Sequence, residues 1–230
     1  AGRKPIKTTL RFDRNRLKVL GFIKEQIKQG RQVYVVYPLI EESARLDLKH
    51  VMDGYASLQR AFPEFQLSIV HGKMKARDKE YEMDRFIRKE TQIMVSTTVI
   101  EVGVDVPNAS VMVIENAERF GMAQLHQLRG RVGRGADQSY CILMCGDKLT
   151  GEAQQRLETM VRTNNGFEIA DRDLQLRGPG DLMGTQQSGL LDLLIGDLGK
   201  DGKILQVARE AARELLSDDP DINKEENRNI

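Results

Sequence analysis

The chain has no tryptophan, and aromatic residues make up only 5% of its 230 positions. A base-stacking platform for single-stranded nucleic acid is therefore not evident, and any contact with a polyanion would run through its phosphates and weaken with salt. No apolar run approaches the ~18 residues of a membrane-spanning helix, and no signal-peptide pattern precedes Lys4. We expect a cytosolic protein with no membrane partner. Cys141 and Cys145 are the only cysteines. On one strand their Cα atoms would stand about 13 Å apart, beyond disulfide reach, so both are expected to be packing residues. With the scattered His50, His71 and His126 they make no metal site. Two further absences concern phosphate chemistry. There is no GxxxxGK[ST] loop to cradle a nucleotide on backbone N–H groups, and no DExx-type pair after a strand to hold Mg2+. The chain alone is not expected to hydrolyse ATP.

What is present suits a core of ordinary size. Hydrophobic residues are 40% of the sequence, enough for one large or two small domains. The formal charge of +1 is unevenly spread. Residues Ala1 to Arg31 hold ten Lys or Arg against two acids, and Ser217 to Ile230 five acids against two bases. A basic end suits a nearby polyanion and equally a solvated helix face. The sequence starts at Ala1 without Met, in a basic, Pro-containing stretch; we expect a piece of a longer protein, cut in a linker or just before a strand.

Strand and helix patterns alternate along the chain. Asp13 is placed to cap a helix over Arg14 to Gln29, with Leu17, Leu20, Ile23 and Ile27 on its apolar face and Gly30 after it. Val33 to Tyr37 reads as a strand stopped by Pro38. Ser43 can cap a second helix whose Leu48, Val51, Tyr55, Leu58 and Phe62 form a core stripe. Leu67 to Val70 is the next strand, followed by the turn His71-Gly72-Lys73-Met74 and a charged helix from Ala76 to Lys89. Ile93 to Ser96, Val111 to Glu115 and Ser139 to Met144 are further strands, and the alternation predicts βαβ units in a parallel sheet. Thr150 can cap a helix from Gly151 to Thr163; a shorter helical piece, Phe167 to Leu176, completes a hairpin before the turn Gly178-Pro179-Gly180. A last helix, Lys203 to Leu216, is expected to dock on the lobe, ahead of an acidic tail without structure over 217–230. The expected domains are therefore 1–148, 149–216 and the tail.

The stretch Thr91 to Gly135 organises the rest. Its two strands carry β-branched runs without alternation, as expected of strands covered on both faces. From Arg119 to Gly135 there are four arginines and no acid, punctuated by Gly130, Gly133 and Gly135. Guanidinium forks match phosphate oxygens, and glycines let the backbone approach an anion; glycine spacing alone also fits a solvated basic loop. Ligands of open α/β sheets collect at the carboxyl ends of the strands. On that rule Thr97, Thr98, Gly103 and Asp105 share one rim with Gln127, Arg131 and Arg134, and the reading requires the two arginines to be near the strand tips and outside the core.

Gln127-Leu-Arg-Gly-Arg131-Val-Gly-Arg134 resembles motif VI, QxxGRxGR, of superfamily 2 helicases, and Thr97-Thr-Val-Ile-Glu-Val-Gly103-Val-Asp105 resembles their motif V. The stretch Gly166 to Gly189 looks like the translocation motif of the RecG and Mfd translocases, and Arg177-Gly-Pro-Gly-Asp-Leu182 with Gln187-Ser-Gly189 is closer to RecG. The resemblance spans about Ala1 to Leu216. It implies a fold of class α/β: a RecA-like parallel sheet with flanking helices, then a helical hairpin and a docking helix. It also implies an ATP-dependent motor on double-stranded, branched DNA, with ATP and Mg2+ held mainly by a first RecA-like lobe that lies upstream, beside a wedge domain. In that picture Arg131 and Arg134 reach the ATP phosphates, Gly103 and Asp105 face the ribose, and Gln127 links the nucleotide to lobe closure. His71, Gly72, Thr97 and Thr98 lie along the nucleic acid, and Arg177, Gln186 and Gln187 convert closure into a step. A monomer is expected. Three alternatives stay open: an Mfd-type lobe, a freestanding nucleic-acid-binding module, and a partner that donates its arginines in trans to another ATPase.

Overall fold

A computed structural model describes residues 4–39, 44–97, 106–135 and 138–177, with Val207 and Arg213 besides; the side chains of 44–47 and 177 are not among what it describes. The chain divides into two units, 1–170 and 171–230. In the first, six strands form one sheet: β1 (Lys7–Phe12), β2 (Gln32–Tyr37), β3 (Leu67–Val70), β4 (Ile93–Thr97), β5 (Ala109–Ile114) and β6 (Tyr140–Cys145), in the spatial order β1-β6-β5-β2-β4-β3. Every pairing is parallel, as the β-branched runs require of strands with both faces covered.

The connecting helices are α1 (Arg16–Lys28), α2 (Ala44–Ala61), α3 (Ala76–Ile87) and α4 (Met122–Arg129), followed by α5 (Gly151–Arg162) and α6 (Gly166–Arg177). One face of the sheet presents Val33 and Val35, Ile93 and Val95, Val111 and Val113 to Val19, Ile23 and Ile27 of α1 and to Val51 and Leu58 of α2. The alternate residues turn to the other face, where the rings of Tyr34 and Phe86 of α3 stand 5.0 Å apart. α5 packs on β1 and on α4. Of the second unit, residues 171–177 are the end of α6, and Val207 and Arg213 are helical. The rest of the expected docking helix, the tail and the Ser43 cap lie outside the described residues.

Three local expectations need correction. β1 was not among the predicted strands: it is an edge strand that pairs with β6 alone, and Lys7, Thr9 and Arg11 alternate on its exposed-to-intermediate side, so no apolar run marks it. Asp13 does not cap α1; it belongs to a short 3-10 turn, and its carboxylate accepts from Arg16 at 2.7 Å. The buried stripe of α1 runs through Val19, Ile23 and Ile27, and Leu17 is 83% exposed; starting the helix at Arg16 moves Leu17 onto the solvent side.

Candidate functional site

The carboxyl ends of β2, β3, β4 and β5 carry one group of candidates. Thr97 closes β4 opposite Tyr37 of β2, and Val70 opposite Ser96 brings His71 to the same edge. Thr97 is 2% exposed, and among the described residues neither its hydroxyl nor Nδ1 of His71 has a hydrogen-bond partner. An unpaired buried polar atom costs about 1 to 3 kcal/mol, and both of these stand at this edge. Burial lowers the His71 pKa, and the neighbouring charges of Lys79 and Lys73 lower it further. The ring is thus a neutral group in a positive surround. Gly72 is exposed in the turn that follows.

The same edge holds an ion pair between residues 99 positions apart. Glu115, directly after β5, is 5% exposed and accepts from both Nη atoms of Arg16 at 2.8 and 2.9 Å. Those bonds raise the Arg16 pKa, and burial, with the charge of Glu115, raises that of the Tyr37 phenol. A carboxylate closing an apolar strand was the available signal, because a buried charge needs a partner; that the partner stands 99 residues away was not readable.

The arginines lie elsewhere. The loop holding Arg131 and Arg134 leads from α4 into β6, so it meets the sheet at the amino end of that strand. A Cβ on Gly133 would stand 3.0 Å from Ile6, which precedes β1, and one on Gly135 would stand 2.8 Å from the carbonyl oxygen of Pro107, which precedes β5. The N–H of Lys7 donates to Ser139 O at 3.0 Å. Three segments that each lead into a strand therefore converge at the amino edge. This corrects the single rim: Thr97 is on one edge, and Arg131 and Arg134 are on the opposite one. In a parallel sheet the chain must return across the sheet between successive strands, and whatever immediately precedes a strand is carried to the amino edge. The strand-tip rule therefore gives the arginines no role.

The amino edge is nonetheless built for close approach. Gly133 has φ +84, a left-handed conformation that a side chain would strain, and Gly135 leaves no room for a Cβ against Pro107. Arg134 is exposed and Arg131 half-buried, so both guanidinium groups are outside the core. Gln127 is exposed on the last turn of α4. A cavity of about 300 Å3 lies beside the loop, lined by Lys4, Gly130, Gly133, Arg134, His126 and Asn164. Arg129, two residues before Arg131, turns inward and is 2% exposed.

Thr98, Gly103, Asp105, Gln186 and Gln187 lie outside the described residues, and of Arg177 the structure gives only its place as the last residue of α6.

The family model of the helicase conserved C-terminal domain matches residues 15–136, and that of the ATP-dependent DNA helicase RecG, domain 3, C-terminal, matches 163–230. The chain is 50% identical over 222 residues to the ATP-dependent DNA helicase RecG of Synechocystis sp., covering 96% of the chain and 27% of that protein. For the Aquifex aeolicus protein of the same name the identity is 46% over 226 residues, covering 96% and 28%. For that of Bacillus subtilis it is 46% over 220 residues, covering 95% and 32%. The chain thus spans between a quarter and a third of the curated relatives it matches. Among solved structures it is similar to RecG bound to a three-way DNA junction, with 42% identity, a TM-score of 0.69 and coverage of 89% of this chain and 26% of that one. The second domain of the DEAD-box helicase Mss116p shares the fold, at a TM-score of 0.54 and 15% identity, with coverage of 92% and 78%.

Proposed function

We propose a function from one premise: the chain belongs to the helicase conserved C-terminal domain family, in its RecG branch. It is the C-terminal motor lobe of an ATP-dependent helicase that translocates on double-stranded DNA and acts on branched DNA, such as stalled forks and Holliday junctions, in repair and recombination. The observation that carries this reading is a segregation. The candidates for DNA contact, His71, Gly72 and Thr97, stand at the carboxyl edge of the sheet, and the candidates for nucleotide contact, Arg131 and Arg134, at the amino edge. A lobe so arranged can meet two ligands at once.

At the amino edge, Arg131 and Arg134 supply positive charge to the β and γ phosphates of an ATP whose Mg2+ and phosphate loop belong to a first lobe upstream. Planar guanidinium donors placed where negative charge develops stabilise phosphoryl transfer without covalent chemistry. Gly103 and Asp105 would face the ribose, and Gln127 couples the phosphates to closure of the two lobes. At the carboxyl edge, the Thr97 hydroxyl donates to a DNA phosphate and neutral His71 lies beside it, with Thr98 next in line; contacts of that type are salt-sensitive and independent of sequence. Arg177, Gln186 and Gln187 convert closure into a step along the duplex. The enzyme works as a cytosolic monomer, with the wedge domain splitting the branch.

The test is Arg134→Ala in the full-length helicase. DNA-stimulated ATP turnover should fall at least about a hundredfold, as loss of an arginine finger does elsewhere, while ATP binding stays measurable. Turnover within a few-fold of wild type would remove the nucleotide role.

A further inference from the structure

We propose that Arg129 is a positioning residue that ties the arginine loop to the turn between α5 and α6, so that a displacement of Arg131 and Arg134 reaches the RecG-type segment directly. The inference rests on the reading that those two arginines meet nucleotide.

Arg129 is the largest of the fully buried side chains among the described residues. Its Nη1 donates to Met160 O at 2.7 Å, Thr163 O at 2.9 Å and the Thr8 hydroxyl at 3.3 Å, and its Nη2 to Nδ1 of His126 at 3.0 Å. All four acceptors are neutral. A guanidinium taken out of water needs compensating negative charge, and here the free carbonyls at the end of α5, the negative pole of that helix, supply it. The bond set therefore exists only while the end of α5 is seated against α4.

His126, one turn earlier on α4, grips the other side of the same turn. Its Nε2 lies 3.1 Å from the position a Cβ on Gly166 would take, so the imidazole packs on the first residue of α6. Arg129 and His126 thus hold the α5–α6 turn on both sides. The RecG domain 3 match begins at residue 163, inside that turn.

There is little slack on the nucleotide side. Gly130 N–H donates to His126 O, Arg131 N–H to Leu128 O and Val132 N–H to Arg129 O, at 3.0, 3.0 and 3.3 Å. The helical hydrogen bonding of α4 therefore continues to within two residues of Arg134, and Arg131 cannot shift far without carrying Arg129. The three arginines divide the work: two face outward, and the third fixes what they move against.

The experiment uses the full-length helicase on a three-way DNA junction and follows ATP hydrolysed and junction unwound in the same reaction. Arg129→Lys keeps the charge but loses the fork that reaches several acceptors at once. It should retain most ATP turnover and unwind about tenfold less junction per ATP, the scale expected when a coupling residue is changed. Gly166→Val leaves the Met160, Thr163 and Thr8 acceptors of Arg129 in place and pushes on the His126 ring, its fourth acceptor; it should lower the same ratio. A merely structural role would reduce the number of active molecules and leave the ratio alone, so an unchanged ratio in both variants overturns the proposal, and if Arg129→Lys does not fold, Gly166→Val decides. Arg134→Ala in the same assay separates this inference from its premise. Lost hydrolysis there with unchanged ratios elsewhere rejects only the tie, and normal hydrolysis rejects the nucleotide reading on which it rests.

Discussion

Arg129 and Arg134 belong to one eight-residue motif, yet one is sealed against the carbonyls of α5 and the other is exposed at the amino edge. The sequence offered both as identical basic side chains. What separates them is the side of α4 on which each emerges, and that depends on where α5 packs. The neighbour of Arg129 gives a prediction at this scale. A guanidinium can only donate, so Nδ1 of His126 must accept, and the ring is neutral with its proton on Nε2. Burial, then the charge of Arg129, lowers the His126 pKa. The folded protein therefore binds fewer protons at this site than the unfolded chain once pH drops below the ordinary imidazole value of about 6.5. The stability that the neutral ring contributes is fully present above that value and is lost as pH falls through the lower folded-state pKa. An NMR titration of His126 should give a midpoint below that of a free imidazole and the Nε2–H tautomer. A midpoint at or above the ordinary value would show that the Arg129 bond is not made.

Among the elements, α5 has the clearest local instruction. Thr150 was readable as its cap, and the Thr150 hydroxyl accepts from Ala153 N–H at 3.2 Å. Thr150→Ala should cost about 1 kcal/mol of stability in denaturant unfolding, the usual worth of such a cap; an unchanged midpoint would mean that packing alone holds the helix. The other five strands were legible for the same kind of reason, since β2, β3, β4, β5 and β6 are nearly continuous runs of buried residues. β1 was not, because Lys7 and Arg11 are exposed, a single residue of the strand is buried, and it pairs with β6 alone. Ile23 and Ile27 were legible in the stripe of α1 and Leu17 was not, since the chain spends Asp13 to Asn15 in a 3-10 turn that periodicity cannot distinguish from the helix after it. The packing of α5 on β1 and α4 was likewise invisible, as neither helix shows on its own which neighbour its apolar side will meet.

For the whole molecule, the lesson is one of topology. Residue types and spacing identified the candidates on both edges, but treating every strand-adjacent segment as a carboxyl-end loop merged the two. The parallel order places Thr97 at the end of β4 and Arg131 and Arg134 before β6, with the full length of the sheet between them. The pair of half-exposed Arg16 with buried Glu115 adds to the carboxyl edge a contact that spacing did not announce. In the proposed function the parallel order keeps nucleotide and DNA on opposite edges of the sheet, and Arg129 ties the arginine loop to the α5–α6 turn. The most direct test of that account is the structure of the full-length helicase with a DNA junction and a non-hydrolysable ATP analogue, read for the distance from the Arg131 and Arg134 guanidinium groups to the γ-phosphate. The account predicts at least one of them within about 3 Å, hydrogen-bond range, with the nucleotide against the amino edge; a nucleotide seated by Thr97 at the carboxyl edge, with both arginines out of reach, would contradict it.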